Sequence, residues 1–177
     1  MRIAFALCVS LALAACGETT APPAPEPEAE IAATTPAAPE GEPMSTGLMG
    51  GLSTSASGDM AGLEIGRDQL TFSNFEDEGV AVATEYLGVL EPSALIKEGG
   101  ESFAAAAPSS TATRVEVRRF TGAAPERVCG GSPATYAAIV YMVPLTGLQL
   151  MVFTGADAPG PTAHDSEVCG IYAYAVD

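Results

Sequence analysis

From about residue 61 onward, the hydrophobic positions of the chain follow the two-residue period of β-strands. Val115 and Val117 alternate with charged residues, as expected for a half-buried strand. Residues 136–143 are almost wholly apolar, and a turn-like Pro-Leu-Thr-Gly sequence separates them from a second apolar run at 148–153, which predicts a β-hairpin. About six or seven such strands predict a mainly β domain, a small antiparallel sandwich or barrel. The other strand-like runs are 62–66, 69–72, 80–89 and 168–176.

Helical patterns are few and short. Residues 92–98 begin with Pro and Ser, which favour the start of a helix. Residues 101–107 are rich in alanine and are followed by Pro108, a combination that predicts one or two helical turns and a stop. We therefore expect one or two short helices beside the strands.

The first fifteen residues have the layout of a signal peptide. Arg2 supplies one positive charge, residues 3–15 form an uncharged, mainly apolar run, and small residues end it, as signal-peptide cleavage requires. A helix over such a run spans about 20 Å, which is short of a bilayer core of roughly 30 Å. The pattern therefore favours a cleaved signal peptide over a permanent transmembrane helix.

The tetrapeptide Leu-Ala-Ala-Cys that ends at Cys16 resembles the lipobox of bacterial lipoprotein precursors. The resemblance implies cleavage before Cys16 and attachment of lipid to its sulfur, which would hold the protein on a membrane of the cell envelope. It also implies the outer membrane rather than the inner one, because Gly17 stands where Asp favours inner-membrane retention. Residues 12–14 also fit the small-x-small rule of an ordinary secretory signal, so a plain secreted protein is the alternative.

Residues 16–60 differ in composition from the rest of the chain. Seven prolines lie between residues 22 and 43, and residues 45–58 are rich in Gly, Ser and Thr. Few large apolar residues are present to offset the entropy of ordering. The composition therefore predicts a disordered linker that separates the lipidated Cys16 from a single domain at residues 61–177.

The charge balance disfavours nucleic acid as a partner. The chain has 22 acidic and 7 basic residues, for a formal net charge of −15, and no Lys or Arg occurs between Arg2 and Arg67. Such a chain repels phosphate backbones, and it has no basic patch with interleaved aromatic residues. The partners we expect are the membrane, through the lipid, and an envelope protein, and the oligomeric state stays open.

Four cysteines occur in the chain, and two of them lie in the predicted domain. Cys8 would leave with the signal peptide and Cys16 would carry the lipid. The remaining pair, Cys129 and Cys169, predicts a disulfide, as is typical of exported proteins. The alternative is a metal site that adds His164, but the short ligand spacings of zinc sites are absent. We therefore predict no metal and no cofactor.

His164 is the only histidine, and its neighbours do not make a catalytic triad. Asp165 and Ser166 follow it directly, whereas a catalytic base must reach its nucleophile and its acid from separate directions. No G-x-S-x-G sequence is present. We predict no catalytic residue and interpret His164 as an exposed loop residue, with a partner contact as its functional alternative.

Two further charged clusters merit a prediction. Residues 76–78 are Glu-Asp-Glu before a glycine, which predicts a turn, with a weak Ca²⁺ site as the alternative. Arg114 and Arg118 share a strand face with Glu116, so cross-strand charge pairing is the simplest role for them. Contact with an anionic ligand or a partner is the alternative for both arginines.

These observations predict a lipid-anchored cell-envelope protein that faces the periplasm. Its β-rich domain would be a non-catalytic binding or interaction module. A lipocalin-like carrier, in which a small barrel encloses an apolar ligand, is the first alternative. An envelope enzyme or enzyme inhibitor is the second.

Overall fold

The computed structural model describes residues 41–52, 56, 60–74, 79–107, 112–143 and 147–175. The predicted signal peptide, Cys16 and the first part of the predicted linker lie outside these residues, as does the acidic cluster at 76–78. No helix within the described ranges is long and apolar enough to cross a membrane.

The strands form one closed antiparallel barrel in which the order in space is the order in sequence. Each strand pairs with its neighbours in the chain, and the first strand also pairs with the last, which closes the barrel. The strands are β1 (Met49–Gly51), β2 (Gly62–Ile65), β3 (Gln69–Ser73), β4 (Val80–Leu90), β5 (Ala112–Phe120), β6 (Tyr136–Met142), β7 (Gly147–Thr154) and β8 (Glu167–Ala175).

The prediction of a mainly β antiparallel domain is confirmed, and the barrel is the architecture that forms. The helical prediction for 101–107 is confirmed by α1 (Phe103–Ala106), which begins after the N-cap Ser102. The prediction for 92–98 is wrong, because these residues form turns and a bridge between Leu95 and Ser102 instead of a helix.

The barrel begins earlier than the predicted domain boundary at residue 61. Strand β1 lies inside the stretch assigned to the linker, where Gly50 pairs with Gly62 on one side and with Ala175 on the other. Its sequence, Met-Gly-Gly, has low intrinsic strand preference. Pairing on both sides, rather than local preference, makes this segment a strand.

The barrel interior is filled by one apolar cluster. Strands β2, β3, β6, β7 and β8 each contribute alternate residues to it, because successive side chains of a strand point to opposite faces. Nearly all of these side chains are less than 5% exposed, and they include Leu63, Ile65, Leu70, Phe72, Ile139, Leu148, Leu150 and Tyr174.

A second apolar cluster lies on the outside of the barrel. The connection between β4 and β5 folds back across the outer surface and places Ile96 and Phe103 against Val115 and Val117 of β5. Phe103 is fully buried there. Because this connection covers the valine face of β5, the opposite, charged face of β5 points into the barrel.

A short 3₁₀ helix (Glu126–Cys129) covers the barrel end that lies near the first residues of β8. Val128 is fully buried in the interior cluster, and the Tyr172 hydroxyl donates to the carbonyl oxygens of Arg127 and Val128. Cys129 and Cys169 form the predicted disulfide, with their Cα atoms 4.9 Å apart. The bridge therefore ties this helix to β8.

Candidate functional site

The most unusual feature of the barrel is an ion pair buried at the end opposite the 3₁₀ helix. Glu116 and Arg118 of β5 are both fully buried, and Arg118 Nε donates to Glu116 Oε1 at 2.6 Å. The same guanidinium donates to the backbone carbonyl of Gly66 at 2.7 Å and to the Thr84 hydroxyl at 3.3 Å. This network closes the gap between β5 and the turn that joins β2 to β3.

Arg114 and Tyr141 extend this network on the interior face. Arg114 Nη2 lies 3.6 Å from Glu116 Oε2, and Arg114 is the register partner of Tyr141 on β6. Two buried polar atoms here, Arg114 Nε and the Tyr141 hydroxyl, have no hydrogen-bond partner among the described residues. We call the region formed by Arg114, Glu116, Arg118 and Tyr141 the barrel mouth.

Residues 41–46, here called the plug segment, lie across the barrel mouth. Met44 donates its backbone N–H to Glu116 Oε2 at 3.0 Å, and its carbonyl oxygen accepts from Arg118 at 3.3 Å. The carbonyl oxygen of Glu42 accepts from Arg114, and the side chain of Met44 packs against the interior apolar cluster. The plug segment is thus held by the charged side chains themselves.

The plug segment is anchored at its far end by strand-like pairing. Thr46 donates its backbone N–H to the carbonyl of Ile65 at 2.9 Å, and its hydroxyl accepts from the Ile65 N–H at 3.2 Å. At its near end, Gly41 has φ +80°, and a Cβ there would lie 3.1 Å from the Tyr86 hydroxyl. A glycine lets the chain pass close to Tyr86 in this left-handed conformation.

The charges of the barrel mouth do not cancel. Two guanidinium groups face one carboxylate, so the three side chains carry a net charge of about +1. Because the site lies inside the barrel, water screens this charge less than it screens a charge on the surface. The barrel mouth is therefore a local cationic site in an acidic protein.

The pKa values of two tyrosines in this region are raised. Burial raises the pKa of Tyr141 well above its usual range, and the charge of Glu116 raises it further while the two arginines oppose the shift. Burial also raises the pKa of Tyr86, against the effect of the neighbouring Arg114. Both phenols therefore stay protonated at neutral pH and can donate hydrogen bonds.

Three surface cavities are lined by described residues. One, of about 220 Å³, lies beside the plug segment and is lined by Glu42, Pro43, Ser45 and Arg67. The other two, of about 250 and 150 Å³, lie on the outer surface, beside the connection between β4 and β5. Only the first adjoins the barrel mouth.

The predicted role of Arg114 and Arg118 in cross-strand charge pairing is wrong. Both pair with Glu116 of their own strand. The cross-strand pair is made instead by Arg119, on the outer face, with Glu85 of β4. The difference arises from the register, which places no acidic residue of β4 or β6 opposite Arg118 and none of β6 opposite Arg114.

His164 lies in the exposed loop between β7 and β8. Its side chain is 74% exposed and its Nδ1 lies 2.8 Å from Glu98 Oε2. The loop is organised by Asp157, whose carboxylate accepts from the backbone N–H groups of His164 and Asp165 at 2.9 Å. These hydrogen bonds lower the pKa of Asp157.

Within the described residues, no group of three or more His, Cys, Asp or Glu side chains is arranged to hold a metal ion. The cysteines of the alternative metal site, Cys129 and Cys169, are joined to each other. Lipidation of Cys16 and the turn at 76–78 fall outside the described residues.

Sequence reasoning identified the arginines of the barrel mouth but missed the groups around them. Tyr141 lies in an apolar run and carries no local signal of a polar role, and Met44 lies in the predicted linker. The sequence contains one relevant signal: in Arg-Val-Glu-Val-Arg the valines share one strand face and the charged residues share the other, so burial of both faces would require the charges to pair with each other. No known protein family model, curated protein or solved structure matches this chain.

Proposed function

We propose that this chain is a lipid-anchored protein of the bacterial cell envelope whose barrel is a non-catalytic binding module, with the barrel mouth as its binding site. The observation that carries this proposal is the buried pair of Glu116 and Arg118 with its neighbour Arg114. Desolvation makes buried ion pairs costly, and apolar residues of similar size often stabilise a fold at least as well. A stable barrel alone therefore does not require these charges.

The proposed location rests on the sequence of residues 1–17 and on the cysteine chemistry. Disulfides persist in oxidising compartments such as the periplasm, and the Cys129–Cys169 bridge fits export. Cys16 is then the cysteine available for lipid, in the position that the lipobox resemblance implies.

The anchor is tested by the variant Cys16→Ala in the native host. We expect the wild-type chain to partition into detergent and its first peptide to carry the mass of a lipid. The variant should remain in the aqueous phase. A wild-type N-terminus without lipid would contradict the anchor, whatever the barrel does.

The binding module is tested by native mass spectrometry of the chain extracted from its own membranes. We expect a bound species on the wild-type chain that is lost in Arg114→Gln. The matched control is Arg119→Gln, because Arg119 lies on the outer face of the same strand. Equal occupancy of all three proteins, or none in any of them, would contradict a binding site at the barrel mouth.

A lipocalin-like carrier is the second candidate, and the closed eight-stranded barrel favours it, since lipocalins share that architecture. The side chains that fill the interior, among them Phe72 and Leu150, count against a large enclosed pocket. A carrier would release an apolar ligand into organic solvent after purification, and its binding would not depend on Arg114.

A further inference from the structure

Met44 of the plug segment lies in the barrel mouth, and its contacts there define the groups that a replacing ligand must supply. Met44 presents three groups in a fixed arrangement: an N–H to the Glu116 carboxylate, a carbonyl oxygen to the Arg118 guanidinium, and an apolar side chain to the interior cluster. A ligand that replaces this residue must offer a donor, an acceptor and a short apolar chain. One amino-acid residue with an apolar side chain offers all three.

The net positive charge of the barrel mouth favours a ligand residue that carries a free carboxylate. The Met44 carbonyl is neutral, while the site has one guanidinium more than it has carboxylates. A free carboxylate would make stronger, charge-assisted hydrogen bonds with Arg114 and Arg118 than a neutral carbonyl does. The C-terminal residue of a peptide combines an amide N–H, a free carboxylate and, where the residue is apolar, an apolar side chain.

The barrel mouth also contains donors that the plug segment leaves unused. The Tyr141 hydroxyl is buried, since Tyr141 is only 3% exposed, and it has no hydrogen-bond partner among the described residues. Arg114 Nε is likewise buried without a partner there. Unsatisfied buried donors are costly, and the second oxygen of a carboxylate is an acceptor that these groups can use.

We propose that the barrel mouth binds the C-terminal residue of a peptide with an apolar side chain, which displaces the plug segment. The ligand carboxylate accepts from Arg114, Arg118 and the Tyr141 hydroxyl, its amide N–H donates to Glu116, and its side chain takes the place of Met44. This inference rests on the proposed function, because it names the ligand class of the proposed site.

Displacement is feasible because the plug segment is held by few contacts. It is mostly exposed or half-buried, and its hydrogen bonds to the barrel mouth come from two backbone carbonyls and one N–H. The plug segment and the ligand compete for the same groups, so the apparent affinity is lower than the intrinsic one by the fraction of open sites.

The test is isothermal titration calorimetry of the full chain with N-acetyl-L-methionine as the probe. We expect N-acetyl-L-methionine amide, which lacks the charge, to bind at least about tenfold more weakly, as the loss of a charge-assisted interaction predicts. Hexanoate has the charge and an apolar chain but no N–H, and it should also bind more weakly. Equal affinity for all three compounds would overturn the proposed ligand class.

Variants of β5 and β6 test whether the probe binds at the barrel mouth. Arg114→Gln should weaken binding of N-acetyl-L-methionine by about tenfold or more, and Arg119→Gln should leave it unchanged. Tyr141→Phe keeps the ring and removes only the hydroxyl, so it tests the site in a protein that retains its packing, and it should weaken binding severalfold. Equal binding by wild type, Arg114→Gln and Tyr141→Phe would overturn the site.

Hydrogen exchange shows whether the plug segment leaves. On binding, the amide hydrogens of Met44 and Thr46 should exchange faster while those of β5 and β6 exchange more slowly. Binding without faster exchange at Met44 would overturn displacement. If N-acetyl-L-methionine does not bind, yet the protein from native membranes carries a species that depends on Arg114, the ligand class fails and the proposed function stands.

Discussion

At the scale of single residues, the balance between burial and charge decides what each side chain of β5 contributes. Val115 and Val117 are buried outside the barrel, and Glu116 and Arg118 are buried inside it. A buried charge is tolerated when an opposite charge and hydrogen bonds surround it. Removing one member of such a pair costs more than the pair itself contributes.

We therefore expect Glu116→Gln to lower the free energy of unfolding by about 3–5 kcal/mol, because it leaves Arg118 buried without a counter-charge. The matched control is Glu85→Gln, which breaks the half-exposed pair with Arg119 and should cost less than about 1 kcal/mol. Urea unfolding of the two variants beside wild type measures both. Equal losses for the two variants would show that breaking the buried pair costs no more stability than breaking the half-exposed pair.

Gly170 illustrates a residue whose lack of a side chain is required by packing. A Cβ at this position would lie 2.5 Å from the carbonyl oxygen of Val128, in the 3₁₀ helix that the disulfide holds against β8. A backbone atom cannot yield as easily as the end of a flexible side chain. The close approach of this helix to β8 therefore depends on the glycine.

Gly170→Ala should destabilise the domain by about 1–3 kcal/mol, since the added methyl group forces the two backbones apart. Gly147 of β7 is the control, because a Cβ there meets its nearest atoms at 3.4 and 3.5 Å, which is ordinary contact. Gly147→Ala should change the stability by less than about 1 kcal/mol. Thermal unfolding of both variants distinguishes the two outcomes, and a smaller loss for Gly170→Ala than for Gly147→Ala would contradict the proposed contact.

At the scale of elements, short segments close both ends of the barrel in different ways. The 3₁₀ helix is held by a covalent bridge and by a fully buried Val128. The plug segment is held by hydrogen bonds to side chains and by a half-buried Met44. One closure is covalent, and the other consists of noncovalent contacts, so the displacement that we propose requires only the second closure to open.

Removal of the disulfide should destabilise the domain substantially. The two cysteines are 40 residues apart in sequence, and for a loop of that length the chain-entropy relation predicts about 4 kcal/mol. Denaturant unfolding with and without reductant measures the loss. The double variant Cys129→Ala, Cys169→Ala should match the reduced protein and respond no further to reductant, and a reductant effect on that variant would refute the assignment.

At the scale of the whole molecule, one closed barrel carries two apolar layers, one inside it and one outside it beneath the connection between β4 and β5. Closure gives each of the eight described strands a partner on both sides, which reduces the free sheet edge through which strands can aggregate. It also buries several phenols. Burial raises the pKa of Tyr141, Tyr172 and Tyr174 above the usual range.

These raised pKa values predict that the domain loses stability at alkaline pH. The neutral phenols contribute their full stabilisation below the unfolded-state pKa of about 10. That contribution is lost as the pH rises through the higher folded-state values, because the unfolded chain releases these protons first. Urea unfolding from about pH 8 to about pH 11, followed together with phenolate absorbance, measures the effect.

Tyr141→Phe provides the control for the alkaline prediction. The variant has one buried phenol fewer, so its stability should fall less steeply with pH than that of wild type. An identical pH dependence in the two proteins would mean that Tyr141 ionises in the folded barrel as readily as in water.

The amino-acid sequence determined the β class of this protein, the positions of most of its strands and the pairing of its last two cysteines. These properties depend on local period, on turn residues and on a count of thiols, all of which are present in the chain itself. The tertiary structure decided that β5 turns its charged face inward, that Met-Gly-Gly becomes a strand and that residues 41–46 lie across the barrel mouth. The physical reason is that each of these depends on partners distant in sequence: Phe103 covers the valine face of β5, β2 and β8 pair with β1, and Arg118 holds Met44.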